Sequence, residues 1–241
     1  MSQTPDLFLS VGKQVKDQYG RTIGKIASFA VTPSGRIDAA FIEQGDGRFL
    51  KQTAERLKTD GGDIILVSRI KVEAGVLCDQ IPLIWRKDQA LRDLTDKKKI
   101  SKECYTDLHT SFEGALTQLR SEAQALSIEV DKEIARCSEE STSLNYALVH
   151  LEIEHEIGRI DNKYYETAFQ MIQDNIKRVI TEKNDLELTK SKLANIMLGD
   201  SAKSLEGKAK ATDGQKTPAP ASVLPEPPVV VYVKEIGRTG A

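Results

Sequence analysis

The stretch GKQVKDQYGRTIGKI, residues 12–26, predicts a β-hairpin near the start of the chain. Tyr19 and Gly20 supply a turn that tolerates positive φ, and the apolar side chains of the flanking runs point inward. Further short runs, separated by turn signals, continue to residue 68 at roughly ten-residue spacing. Short strands at this spacing predict a small antiparallel β-barrel.

After this region the apolar period changes from 2 to about 3.6, which predicts long helices over residues 73–198. Two breaks divide the helical region, one at residues 97–101 and one at residues 158–161. Ser101 and Asp161 are typical N-cap residues for the helices that follow the breaks. We expect the chain to reverse direction at both breaks, although two kinks in one continuous helix would give the same pattern.

Reversals at both breaks would form a long antiparallel helical or coiled-coil rod. The two outer helices, about residues 76–96 and 162–198, would then lie end to end along a central helix of about residues 102–157. Pro82 should start or kink the first of these helices. The predicted fold class is therefore α+β, with a small barrel followed by a rod.

The two later helices each carry a stripe of apolar residues, which predicts a seam through which the rod pairs and oligomerises. Aromatic residues are only 5% of the chain, so the stripes suit helix pairing better than a thick core. We therefore expect self-association as a homodimer and a filament. The seam consists of Phe112, Leu116, Leu119, Leu126, Val130, Ile134, Leu144, Leu148, Leu151, Phe169, Ile172, Ile176, Val179, Leu186 and Leu193.

Composition excludes several classes of protein. No stretch approaches the ~18 consecutive apolar residues of a transmembrane helix. The net charge of −2 does not fit a protein that coats nucleic acid. Cys78, Cys104 and Cys137 are an odd set without CxxC spacing, which indicates incidental thiols in a reducing compartment. Because no signal peptide is apparent either, we predict a cytoplasmic protein.

No pattern for catalysis or metal binding is apparent. His150 and Glu154 share a helix face at i, i+4, but one histidine and one carboxylate fall short of a closed metal site. The chain shows no nucleophile–base pair and no phosphate-binding loop. We therefore predict no catalytic residues, no cofactor and no metal, and a protein that is not an enzyme.

The last part of the chain predicts a disordered tail with a β-prone end. Residues 199–228 are rich in Ser, Ala, Lys, Gly and Pro, and they cannot bury enough surface to offset their ordering entropy. Residues 229–241 begin with a strand-forming run, which we expect to add to the sheet edge of a partner or to fold back on the barrel. The predicted partner-binding residues are Val229, Val230, Val231, Tyr232, Val233, Lys234, Glu235 and Ile236.

Two resemblances follow from these residues. Residues 12–26 resemble the opening of PRC-barrel domains, whose pattern is G-x-x-V-x-D-x-x-G-x-x-[IL]-G-x-[IV], so residues 1–72 are assigned to a PRC-barrel-like domain. The order of barrel, charged helical rod, Pro-containing linker and terminal β peptide resembles the archaeal cell-division protein A (CdvA) family. That resemblance spans essentially the whole chain.

The family resemblance implies a non-enzymatic, filament-forming scaffold of archaeal cell division, placed at mid-cell and peripheral to the membrane. It implies that residues 229–236 recruit the ESCRT-III-like protein CdvB by adding a strand to its winged-helix-like domain. It further implies membrane contact through partners and an association with DNA, which the acidic rod supports poorly.

One alternative function remains, a PRC-barrel adaptor in RNA or ribosome maturation with a coiled-coil dimerisation arm. The terminal strand favours the scaffold, because such an adaptor does not need a tethered sheet-adding peptide.

Overall fold

The computed structural model describes residues 8–60 and 62–206, and for residues 199–206 it describes the backbone alone. The described residues up to 202 belong to one compact unit. The predicted partner-binding peptide, residues 229–236, lies outside the described residues, as does most of the predicted linker.

The first part of the described chain folds into a sheet of six strands in the order β4-β3-β2-β1-β6-β5. A short 3-10 turn, Ala54–Arg56, joins β4 to β5. Small apolar side chains fill the inner face of the sheet, with Val15, Ile26, Ile42 and Ile64 almost fully buried. The strands are β1 (Gln14–Asp17), β2 (Thr22–Val31), β3 (Ile37–Glu43), β4 (Phe49–Thr53), β5 (Leu57–Asp60) and β6 (Asp63–Leu66).

The sheet corrects the predicted antiparallel barrel in two respects. Within the described residues no pairing joins β4 to β5, so the sheet is not closed. The strands β1 and β6 pair in parallel, with Val15 opposite Ile64. The reason is the 3-10 turn, which carries the chain from the β4 edge to the β5 edge in three residues. One further hairpin then returns β6 beside β1, running in the same direction.

Two of the glycines in residues 12–26 stand at positions where a side chain would strain or block the fold. Gly20 has φ +83° in the β1–β2 turn, where residues other than glycine are strained. Gly24 lies where β2 passes β3, and a Cβ at this position would overlap the carbonyl group of Glu43. The two strands can approach each other there only because residue 24 has no side chain.

Between the sheet and residue 206, the structure describes three helices, α1 (Arg69–Asp96), α2 (Lys102–Glu156) and α3 (Asn162–Glu206). The chain reverses between α1 and α2, since His109 Nδ1 lies 2.6 Å from Asp88 Oδ1 and Arg69 pairs with Glu129. It reverses again between α2 and α3. The α+β fold with a long antiparallel helical rod is therefore confirmed.

The second reversal sets the register of α2 and α3. The Tyr165 hydroxyl donates to Glu152 at 2.8 Å, and Lys190 Nζ lies 2.6 Å from Asp131 Oδ1. The side chains of α2 therefore meet those of α3 in antiparallel order from the turn towards the sheet.

The outer helices overlap instead of lying end to end. The helix α1 begins at Arg69 and α3 runs to Glu206, so both are longer than the sequence predicts. Lys71 Nζ of α1 lies 3.3 Å from Asp185 Oδ2 of α3, which places the two helices side by side along α2. Pro82 neither starts nor breaks α1, which is continuous around it. The part of the rod next to the sheet is therefore a three-helix bundle.

Candidate functional site

The structure places the predicted seam inside the chain. Nine of its residues belong to one cluster that also contains Ile70, Ala74, Leu77 and Ile81 of α1. Pairing along the seam is therefore intramolecular here. The nine are Leu116, Leu119, Leu126, Val130, Ile134, Leu144, Val179, Leu186 and Leu193.

The remaining six seam residues are half-buried, and five of them lie beyond Cys137, where only α2 and α3 pack together. All residues from 138 to 178 are described, and no side chain among them is fully buried. Two helices alone cover each other on one side only, so the apolar side chains in this part of the seam stay partly exposed to solvent. The six are Phe112, Leu148, Leu151, Phe169, Ile172 and Ile176.

The outer face of α2 carries a second apolar surface at the same end of the rod. Tyr146, Val149 and Ile153 of α2 and Ile157, its C-cap residue, recur at three- and four-residue spacing, so they lie on one face. Each is about half exposed or more, from 49% for Ile153 to 66% for Tyr146. We call these four residues the distal patch. Its size and its distance from the sheet make it a candidate surface for contact with another chain.

The β1–β2 hairpin docks the sheet onto the rod. Arg21 Nε lies 2.9 Å from Asp17 Oδ2, and the same guanidinium pairs with Glu182 of α3. Glu182 also accepts from Arg136 of α2 at 2.8 Å. All four side chains are at least half-buried, so the pairs are only partly screened by water. The charges thereby join the sheet to both α2 and α3.

Tyr19 strengthens the same junction. Its hydroxyl donates to Asp185 Oδ2 at 3.4 Å, and Lys71 contacts the same carboxylate. Burial raises the pKa of Tyr19 to about 12, and the charge of Asp185 adds to the effect. The phenol therefore stays protonated and able to donate near neutral pH. No sequence pattern pointed to this junction, because Arg21 and Glu182 are 161 positions apart.

The surroundings of Cys78, Cys137 and His155 indicate structural roles for these side chains. Burial raises the pKa of the Cys78 and Cys137 thiols, which disfavours the reactive thiolate. The His155 ring stacks on Tyr165 with centroids 3.9 Å apart, and its Nε2 lies 2.8 Å from Asn162 Oδ1. His155 therefore helps to close the second reversal.

Within residues 8–60 and 62–206, no three His, Cys, Asp or Glu side chains gather in a way that could hold a metal ion. None of the helices in the same ranges has the length and apolar character needed to cross a membrane.

Sequence reasoning missed a groove between α1 and α2, about 470 Å³ in volume. Its apolar floor includes Val72 and Val76 of α1, while Glu55 of the 3-10 turn lines one end. A signal was present, because Val76, Leu83 and Ala90 are apolar and seven residues apart. That signal is weak beside the longer seam of α2 and α3.

A known protein family matches the chain over the rod and the residues directly after it. Residues 70–216 match the family model of the CdvA-like coiled-coil domain. The chain is also similar to Cell division protein A of Sulfolobus acidocaldarius, with 22% identity over 183 residues. The matched region covers 76% of this chain and 76% of the relative.

Proposed function

Since this chain belongs to the CdvA-like family, we propose that it acts in archaeal cell division as a non-enzymatic scaffold that self-associates and recruits a partner. The resemblance inferred from the sequence is confirmed at the level of the family. Family membership favours this function over an adaptor in RNA or ribosome maturation.

The proposal is supported chiefly by the distal half of the rod, in which α2 and α3 pack together over residues 138–178. There α2 and α3 leave the seam half-buried, and the distal patch lies on the opposite face of α2. Apolar surface that a two-helix hairpin leaves exposed is stabilised when another chain covers it. We infer that copies of the protein associate through this half and build a filament in that way.

Recruitment is the second part of the proposal. We assign it to residues 229–236, which would add a β-strand to the winged-helix-like domain of CdvB. Support comes from the strand-forming sequence and from family membership. The scaffold would thus sit in the cytoplasm at the mid-cell division site, with membrane contact made through its partners.

DNA binding is left outside the proposal. Residues 73–198 hold 17 basic and 23 acidic residues, a net charge of −6, and such a rod repels a phosphate backbone.

Two variants of the full chain test the two parts separately. Ile153→Asp places a charge in the distal patch, so we expect shorter or no filaments in negative-stain microscopy and a lower mass in sedimentation. Truncation after Leu224 removes the terminal strand, so we expect intact filaments that no longer bind the purified CdvB winged-helix-like domain in calorimetry.

Ile128→Asp is the matched control for assembly. Ile128 is 55% exposed on α2 and Ile153 is 49% exposed, but Ile128 lies outside the distal patch. Unchanged filaments in a folded Ile153→Asp variant would overturn the assembly proposal. Unchanged CdvB affinity after truncation would overturn the recruitment proposal.

A further inference from the structure

The groove between α1 and α2 has an apolar floor that is open to solvent. Val72, Val76 and Leu77 form the α1 side of the floor, and Ala125 and Leu126 form the α2 side. Val76 keeps 47% of its surface exposed. An apolar floor between two helices is the form of site that accepts a third helix.

The exposed stripe of α1 has the spacing of a helix-pairing seam. Val76, Leu83 and Ala90 are seven residues apart, and all three are exposed. Val72 lies four residues before the first of them and Leu94 four residues after the last. A heptad of this kind packs along a partner helix, and within the described residues nothing packs over it.

The rim of the groove is acidic. Four glutamates line it, Glu55, Glu73, Glu122 and Glu129, together with Arg69 as the one basic lining residue. Arg69 donates to both carboxylate oxygens of Glu73, at 2.8 and 2.7 Å, and to Glu129. Its charge is therefore already neutralised, and the rim keeps a net charge of −3.

We propose that this groove binds a basic amphipathic helix supplied by another protein. Its apolar side chains lie on Val72, Val76 and Leu83, and its lysines or arginines face Glu55 and Glu122. This site goes beyond the recruitment assigned to residues 229–236, because it lies on the rod and takes a helix.

Charge argues against a second copy as the occupant. Basic and acidic residues balance in α1, with five of each, and in α3, with seven of each. The helix α2 holds four basic and twelve acidic residues. No helix of the described chain therefore carries the excess of basic residues that would complement the rim.

A labelled peptide tests the proposal on the full-length protein. The probe is a fluorescein-labelled synthetic helix with leucine on one face and lysine on the other, measured by fluorescence anisotropy at constant ionic strength. We expect it to bind, and a leucine–glutamate helix of the same pattern not to bind. Val76→Asp and the double variant Glu55→Lys/Glu122→Lys should each weaken binding about tenfold or more.

Matched controls separate the groove from general charge attraction. Ile180→Asp changes an apolar residue of α3 that has the same exposure as Val76, 47%, and does not line the groove. The double variant Glu139→Lys/Glu166→Lys makes the same change in net charge at exposed sites outside it. Both should keep the parental affinity, and circular dichroism should show that all four variants fold.

Two results would overturn the proposal. One is equal weakening by the groove variants and the controls, which would mean nonspecific attraction. The other is absent peptide binding together with a Val76→Asp variant of lower mass in sedimentation, which would make a second copy the occupant. Neither result depends on CdvB binding or on the distal patch, so the proposed function is tested separately.

Discussion

Near the sheet, α1 and α3 both lie on α2, and Ile81, Val130 and Leu193 are each 0% exposed. Beyond Cys137 the same central helix has only α3 as a neighbour, and no side chain is fully buried until Val179. The apolar spacing is alike in both halves. The difference shows that a stripe becomes a core only where a third helix covers it, and elsewhere it remains half-covered surface.

The largest expected effect comes from a leucine-to-alanine substitution made once in the three-helix part of the rod and once in the two-helix part. Leu193→Ala should lower the free energy of unfolding by about 3 kcal/mol, because it leaves a cavity among three helices. Leu148→Ala should cost about 1 kcal/mol, since its side chain is already half in water. Urea denaturation of the two variants, followed by circular dichroism at low protein concentration, measures both values.

Protein concentration gives the control for that comparison. At concentrations where copies associate, the cost of Leu148→Ala should rise while that of Leu193→Ala stays constant, since only the distal half gains cover. Equal costs at every concentration would contradict the difference between the halves.

A smaller effect is expected at the junction between the sheet and the near half of the rod, where α1, α2 and α3 pack together. Arg21→Ala removes the charge that joins Asp17 to Glu182, so the free energy of unfolding should fall by about 2 kcal/mol. Arg36→Ala is the matched control, because Arg36 is exposed in the β2–β3 turn and its side chain has no partner within the described residues. Similar losses in both variants would mean that the junction adds nothing to the near half.

Local patterns were enough to predict the rod. The change of period after residue 72 and the cap at Ser101 are properties of neighbouring residues, and the Ser101 hydroxyl does accept from the Cys104 backbone at 3.2 Å. The seam residues were also recognisable, because their spacing follows one helix face. Whether they pair within the chain depends on the two reversals, which spacing alone leaves open.

Long-range contacts explain what could not be predicted. The parallel pairing of β1 with β6 depends on the position at which the chain leaves the turn Ala54–Arg56 and enters β5. The continuity of α1 through Pro82 reflects burial of Ile81 and Leu77, which outweighs the usual cost of an interior proline. The Arg21–Glu182 pair links two elements that share no local pattern.

The two reversals, one at the outer end of each half, close with the same hydrogen bonds. The backbone N–H groups of Lys99 and Arg159 donate to the carbonyls of the residues five positions earlier, Leu94 and Glu154, at 2.9 and 3.0 Å. This geometry requires a left-handed residue just after the helix, and the chain uses Lys98, with φ +56°, at one end and Gly158, with φ +75°, at the other. The cost of a Cβ in this conformation therefore falls on the first reversal alone.

Exchanging these residue types gives the smallest expected effect and compares the two ends directly. Lys98→Gly should raise the free energy of unfolding by about 1 kcal/mol, because it removes the strain of the left-handed lysine. Gly158→Lys should lower it by about 1 kcal/mol for the same reason. Urea denaturation measures both changes. A loss of stability in Lys98→Gly would mean that the lysine side chain stabilises the reversal more than its backbone strains it, and the two turns would then differ in more than their left-handed residue.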